Sequence, residues 1–236
     1  VTTVMNDIEI HRLEPSPDWR YELKLTCGAE SLALARNWIQ LNPEGFRTAY
    51  PPRIVNNIYL DAIDLSLLNA NLSSLSNKQK LRIRWYGEDP DEPILELKYK
   101  QNWLGGKIRF SLPRPIDLSQ SWSQILANVT ANVPASWQHL LEKTNQPMLL
   151  NRYCREYYVT HDGELRATLD YAQEVYDQSF SLRPNLHHRL PVEELLVIEL
   201  KGDSSQSERL EQVCAQFPIR LSRNSKYAEI LRSALL

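Results

Sequence analysis

At 236 residues, with 42% hydrophobic and 24% charged residues, the chain can bury a substantial core and is expected to be one domain over 1–236. A net charge of -2 excludes a broad basic exterior that would hold duplex nucleic acid, so no nucleic-acid partner is expected and any grouping of cations must be local. No apolar run approaches the roughly 18 to 20 residues that span a bilayer, and the opening VTTVMNDIEIHRLEP lacks a basic stretch followed by an apolar core, so a soluble, cytoplasmic chain without a membrane segment is expected.

In chain order, period-two alternation predicts strands at RYELKLT (20–26), RIVNNIYLD (53–61), KLRIRWYG (80–87), PILELKYK (93–100), GKIRFSL (106–112) and LLVIELKG (195–202). NRYCREYYV (151–159) and ELRATLDY (164–171), joined by THDG, predict a hairpin. Helical patterns fall at 29–40, 64–72, 121–129, 136–144, 207–217 and 225–236. The Pro-rich spots EPSPD, YPPR, EDPDEP and LPRP read as loops, and no repeat or linker is evident. Cys27, Cys154 and Cys214 lie far apart without a CxxC pair, which indicates neither a disulfide framework nor a zinc cluster. Together these elements suggest an α+β domain on a large antiparallel sheet or barrel.

Side chains two apart on a strand share a face, and this sorts the charges sharply. Arg20, Glu22 and Lys24 oppose Tyr21, Leu23 and Leu25; Arg82 and Arg84 oppose Leu81, Ile83 and Trp85; Glu96, Lys98 and Lys100 oppose Leu95, Leu97 and Tyr99. Lys107 and Arg109 oppose Ile108 and Phe110, Glu199 and Lys201 oppose Ile198 and Leu200, and Arg166, Thr168 and Asp170 oppose Leu165, Ala167 and Leu169. Such a pattern fits a half-exposed sheet with water on its charged face. Against it, the dominance of Arg and Lys requires some anion to offset repulsion between neighbouring strands, as in a barrel with the charged face inward.

The segments RYELK (20–24), NNIYLD (56–61), KLRIRWYG (80–87), LELKYK (95–100), RYCREYYV with DGELRATLD (152–170), VIELK (197–201) and NSKYAEIL (224–231) occur in an order that resembles the vacuolar transporter chaperone (VTC) domain. That domain is the polyphosphate polymerase branch of the triphosphate tunnel metalloenzyme (CYTH-like) superfamily. The resemblance implies an α+β fold with a closed antiparallel β-barrel of about eight strands and helices packed outside. It also implies ATP and polyphosphate or triphosphate as ligands and Mn2+ or Mg2+ as cofactor.

Carried over by position, Lys24, Arg82, Arg84, Lys98, Arg155, Arg166 and Lys226 fall where the family places phosphate-holding cations, and Glu199 where it places a metal-binding carboxylate. Glu22 and Asp170 are further metal candidates. Arg20, Lys100, Lys107, Arg109 and Lys201 are further substrate-binding candidates; Arg109 competes with Lys107 in the loosely aligned NWLGGKIRF, and Lys100 and Lys201 sit near strand ends where water and tunnel are both open to them. The chain shows neither an SPX domain nor membrane helices, so polymer translocation would fall to an unidentified membrane partner. Hydrolytic tunnel enzymes resemble ExExK where this chain has RxExK at 20–24, and one carboxylate fewer favours the polymerase branch over a triphosphatase.

Phosphoryl transfer needs in-line positioning and neutralised oxygens more than covalent chemistry, which is why Arg forks and Lys point charges suffice. Three functions remain at this stage: an ATP-dependent polyphosphate polymerase, a tunnel triphosphatase, and a noncatalytic polyphosphate- or nucleotide-binding module. His187 and His188 read as exposed loop residues, while Tyr153 and Tyr157 share the Arg155 face and border either the tunnel or the core.

Overall fold

A computed structural model describes residues 20–67, 69, 77–101 and 104–218. Its strands are β1 (Arg20–Gly28), β2 (Arg47–Asp61), β3 (Asn77–Tyr86), β4 (Ile94–Gln101), β5 (Leu104–Ser111), β6 (Gln146–Val159), β7 (Arg166–Asp177) and β8 (Leu195–Gly202). They pair antiparallel in the order β1-β5-β4-β3-β2-β6-β7-β8 and close into a barrel through β8 and β1. Lacing is uneven. β1 registers with β8 from Tyr21↔Gly202 to Gly28↔Leu195, whereas β1 meets β5 only at Arg20↔Gly105 and Tyr21↔Leu104, so the curled sheet is pinned shut by a short seam.

Helices α1 (Leu32–Leu41), α2 (Trp122–Ala131), α3 (Ala135–Lys143) and α4 (Ser207–Ala215) cover the outside. Burial by position explains their placement. Ala35 and Ile39 of α1 and Leu210 and Val213 of α4 pack on Leu25, Leu165, Leu169, Ile198 and Leu200, the apolar faces of β1, β7 and β8. Trp122, Ile125 and Val129 of α2 and Trp137, Leu140 and Leu141 of α3 pack on Leu81, Ile83, Trp85, Leu95, Leu97 and Ile108 of β3, β4 and β5. Ser121 starts α2 with a capping box: its hydroxyl accepts from the Gln124 amide at 3.4 Å, and the Gln124 side chain accepts from the Ser121 amide at 3.1 Å.

The expected strands are present, and β2, β6 and β7 extend well beyond their sequence signal, β7 running on to Asp177 rather than 171. β2 begins at Arg47 rather than 53, because the YPPR segment read as a loop continues the pairing with β6 across register shifts between Thr48 and Arg53. β6 begins at Gln146 rather than 151. The β6–β7 turn is built as THDG suggests: Gly163 takes a φ of +81°, and the Leu165 amide donates to the Thr160 hydroxyl at 3.0 Å. In β7 the register shifts opposite Arg152 and Cys154, where Ala172 takes a φ of 52°, a bulge that brings Val175 onto the side-chain face of Asn151.

Of the expected helix at 64–72, Ser66, Leu67 and Asn69 are helical, Asp64 and Leu65 are not, and 68 and 70–72 lie outside the described residues, as does the expected helix at 225–236. Among the described residues, the three cysteines form no disulfide, His187 and His188 are exposed, and no helix is long and apolar enough to cross a membrane.

Trp85, 2% exposed, is the largest fully buried side chain where β3 meets the α2–α3 layer. Trp85→Ala is expected to lower unfolding free energy by about 3–5 kcal/mol through lost transfer energy and a residual cavity. Urea unfolding followed by far-UV circular dichroism measures this, and a loss below about 1 kcal/mol would contradict the packing described.

Candidate functional site: an inward-facing cationic lumen

With the apolar faces turned out against the helices, the charged faces of every strand meet inside the barrel. The register brings the sequence candidates opposite one another: Lys24↔Glu199↔Thr168 across β1, β8 and β7, Glu22↔Lys201↔Arg166 beside them, and Arg155↔Asp170 on β6 and β7. On the other wall, Tyr59↔Arg82↔Glu96↔Arg109 and Lys80↔Lys98↔Lys107 form two rows across neighbouring strands. The second row places like charges directly opposite on three strands, an arrangement that repels unless an anion bridges it.

Carboxylates tie part of this surface down. Glu199, 4% exposed, takes Lys24 at 3.0 Å, Lys201 at 2.8 Å and Arg155 at 3.2 Å. Burial opposes its charge, but Lys201, Lys24 and Arg155 together hold the carboxyl well below the usual range. Arg155 also forks onto both oxygens of Asp170 at 2.5 Å each. Glu22 reaches Lys98 at 3.4 Å and Lys201 at 3.7 Å, and burial notwithstanding, Lys201 and Lys98 hold it at about 2. Glu96, 1% exposed, bridges the Arg82 guanidinium and Arg109, the latter at 3.3 Å.

Polar neighbours fix the arginine planes. Arg84 Nε donates to Asn57 Oδ1 at 2.7 Å and its Nη2 to the Tyr153 hydroxyl at 3.3 Å, while Asn57 in turn donates to Asn151 at 2.8 Å. Arg82 Nη1 donates to the Tyr59 hydroxyl at 3.3 Å. The Tyr153 ring also receives the Arg155 guanidinium at 5.3 Å from its centroid. Two buried polar atoms facing this surface, Arg82 Nε and Thr168 Oγ1, have no hydrogen-bond partner among the described residues. Buried polar groups are normally satisfied, so these two are ready for a ligand.

The crowded lysines are shifted downward. Burial, with Lys24, Lys98 and Arg82 nearby, brings the Lys80 ammonium down to about 8 against a pull upward from Tyr59. Burial and the Arg109, Lys201 and Arg84 charges bring Lys107 down to about 7. Lys107 is exposed by area, so solvent screening softens its shift and Lys80 is the stronger case. Lys98 is lowered too, by burial first, with Glu22 opposing.

The candidates thus divide. Lys24, Arg82, Arg84, Lys98, Arg155, Glu22, Asp170, Glu199 and Lys201 converge on one connected surface, and Lys201, open to water or tunnel by sequence, is ion-paired inside. Lys107 and Arg109 both point to the lumen side and are both exposed, so the alternation that made them competitors serves both. Arg166 is exposed at the start of β7 opposite Lys201. The side chains of Arg20 and Lys100, and the whole of Lys226, lie outside the described residues. Sequence reasoning passed over Lys80 and Glu96 as site residues, although both share the parity of Arg82 and Lys98 respectively, and over Asn57, whose role depends on β2 lying beside β3.

A divalent metal is the cofactor such a fold implies. Among the described residues no three His, Cys, Asp or Glu side chains converge as a metal cage. Glu22 and Glu199 do both reach the Lys201 ammonium, and the partnerless Thr168 hydroxyl stands opposite Glu199. Two carboxylates suit Mg2+ or Mn2+, which take their remaining ligands from water and phosphate oxygens.

Comparison with known proteins follows the same lines. The barrel is similar to that of a putative adenylate cyclase from Vibrio parahaemolyticus, at 13% identity and a TM-score of 0.51, covering 90% of this chain and 98% of that chain. It is also similar to the PH1819 protein from Pyrococcus horikoshii OT3, at 16% identity and a TM-score of 0.49, covering 90% and 99%. No curated protein matches the chain. The family model for the VTC domain matches residues 20–235. The match over nearly the full sequence, on a closed antiparallel barrel with an inward cationic face, shows that this chain belongs to the VTC domain family.

Proposed function

We propose that this chain is a polyphosphate polymerase in which a terminal oxygen of an acceptor phosphate chain attacks the γ-phosphorus of ATP. The new P–O bond lengthens the chain by one unit as the β–γ bridging bond breaks and ADP leaves. The observation that carries the reading is the Lys80↔Lys98↔Lys107 row beside Arg82 and Arg84: a surface of facing cations with too few carboxylates to neutralise it. An extended polyanion supplies one negative charge after another along such a surface, which a single carboxylate metabolite does not.

Within this reading Arg82, Arg84 and Arg155 fork onto phosphate oxygens with planes already set by Tyr59, Asn57, Tyr153 and Asp170, so little reorganisation accompanies charge development. Lys24, Lys98, Lys107 and Lys201, with Lys80, act as adjustable point charges; Arg166 and Lys226, from the family pattern, and Arg109, Arg20 and Lys100, from the charged strand faces, are further contacts. Glu199, with Glu22 and Asp170, would hold Mg2+ or Mn2+, which when bound neutralises phosphate oxygens. The protein needs no Ser, Cys or His nucleophile.

Incubating the purified protein with ATP and Mn2+, with products followed by gel and 31P NMR, separates the functions. Growing polymer supports the polymerase; orthophosphate without polymer would overturn it in favour of a triphosphatase, and tight triphosphate binding with no turnover in favour of a binding module. Arg84→Lys, which keeps charge but loses the fork, is expected to lower kcat about 100-fold with the native circular dichroism spectrum retained.

Glu199→Ala is expected to abolish metal-dependent turnover and to lower stability by about 3 kcal/mol, since it leaves buried cations uncompensated. Full metal-dependent activity in that variant would sink the metal assignment.

A pH dependence follows from the lysine row. An anion restores the charge on Lys80 and Lys107, so each has a higher pKa in the complex than in the free protein, and between those two values binding takes up protons. Affinity for triphosphate should therefore fall as pH rises from about 7 to about 9. Calorimetry at pH 8 in buffers of different ionisation heat should register up to about half a proton taken up through Lys80. Lys80→Arg should remove that share, and the difference between the two proteins excludes protonation of the ligand itself. Equal uptake in both would contradict the assignment.

A further inference from the structure

Beyond the phosphate-facing cations, the same inward face changes character. Arg84 is followed two residues along β3 by Tyr86, and Arg155 two residues along β6 by Tyr157, a step of about 7 Å each. On β2, Arg53 stands opposite Arg155, and Tyr50, one register shift further on, stands opposite Tyr157. The Arg53 guanidinium lies 5.1 Å from the Tyr50 ring centroid and 5.8 Å from those of both Tyr86 and Tyr157. Tyr50 meets Tyr157 edge to face at 5.8 Å, yet Tyr50 remains 56% and Tyr86 38% exposed.

This cluster is not the phosphate surface continued. Aromatic faces carry the negative end of the ring quadrupole and repel anions, so three rings are a poor lining for phosphate and a good one for a flat, polarisable group. Arg53 has no carboxylate partner among the described residues, and its guanidinium is held only by ring faces. A guanidinium flanked by exposed tyrosines is the chemistry that stacks nucleobases without reading their edges.

We infer that Tyr50, Arg53, Tyr86 and Tyr157 form a nucleobase platform at the rim of the lumen, on which the base of a nucleoside triphosphate stacks while its phosphates occupy the cations inside. The inference rests on the phosphate-binding reading above and adds to it a reason why a nucleotide is held in preference to a bare phosphate chain. Stacking of this kind tolerates purines generally, so the discrimination it provides is nucleotide against inorganic chain rather than one base against another.

Calorimetric titration of the full chain with ATP and with inorganic tripolyphosphate, both in chelator so that metal sharing does not differ, tests this. The parent protein is expected to favour ATP, and the ratio of ATP to tripolyphosphate affinity should fall about ten-fold in Tyr50→Ala, further in Tyr50→Ala with Tyr86→Ala, and be retained in Tyr50→Trp. The exposure of Tyr50 and Tyr86 keeps these variants folded, which circular dichroism checks. Equal affinity of the parent for both ligands, or a ratio unchanged by the alanines, would overturn the platform while leaving the phosphate site standing. Equal weakening of both ligands would assign the tyrosines to the phosphate chain and overturn it as well. Binding of neither ligand would overturn the phosphate reading, and the platform with it.

Discussion

The constraint from which the rest follows is the confinement of many like charges on one concave face. Placing Lys80, Lys98 and Lys107 opposite one another on three adjacent strands costs free energy that an open sheet would relieve in water. The barrel tolerates it because the other faces of β1, β3, β4, β5, β7 and β8 are largely apolar, and burying them beneath α1 to α4 outweighs the electrostatic cost. Lys80 and Lys98 are half-buried on this face, and in the proposed reading a phosphate chain supplies the anion that it lacks.

The carboxylates show how the demand is kept within bounds. Glu199 and Glu96 are each almost wholly buried and each gathers more than one cation, so they are pins for Lys24, Arg155, Lys201, Arg82 and Arg109 as much as candidate ligands. A buried carboxylate that lost these partners would be left uncompensated, which is why the same residues that orient the arginines also stabilise the protein. Glu22 and Asp170 sit in the same network, each already engaged by cations from another strand. In the proposed reading, phosphate binding is therefore an exchange of partners within a preformed set rather than the assembly of a site.

Neighbouring strands add precision that charge alone lacks. Asn151, Asn57 and Arg84 form a chain of hydrogen bonds running from β6 through β2 to β3, and Tyr153 joins Arg84 to Arg155 across the same three strands. The arginine forks are thereby held in fixed planes, as bidentate recognition of phosphate oxygens requires. Further out the same strands supply tyrosines in place of cations, so that one face passes from clustered charges to aromatic rings around Arg53 within two residues.

Much of this was legible in the sequence because the period of a strand is a local property. The alternation in KLRIRWYG and VIELK separates cations from apolar residues without reference to any other part of the chain, and the order of such segments carries the family resemblance. The strand ends were less legible: YPPR has the composition of a loop, and it is paired in β2 only because β6 lies alongside and the register shifts to accommodate it. Ala172 likewise gives no local sign of the bulge it makes in β7. By itself, then, the sequence determined which residues share a face and that one face is cationic. Only the tertiary structure decided that this face turns inward, that Glu96 and Lys80 belong to it as fully as Arg82 does, and which strand supplies each partner, because closure and register are set by contacts between segments far apart in the chain.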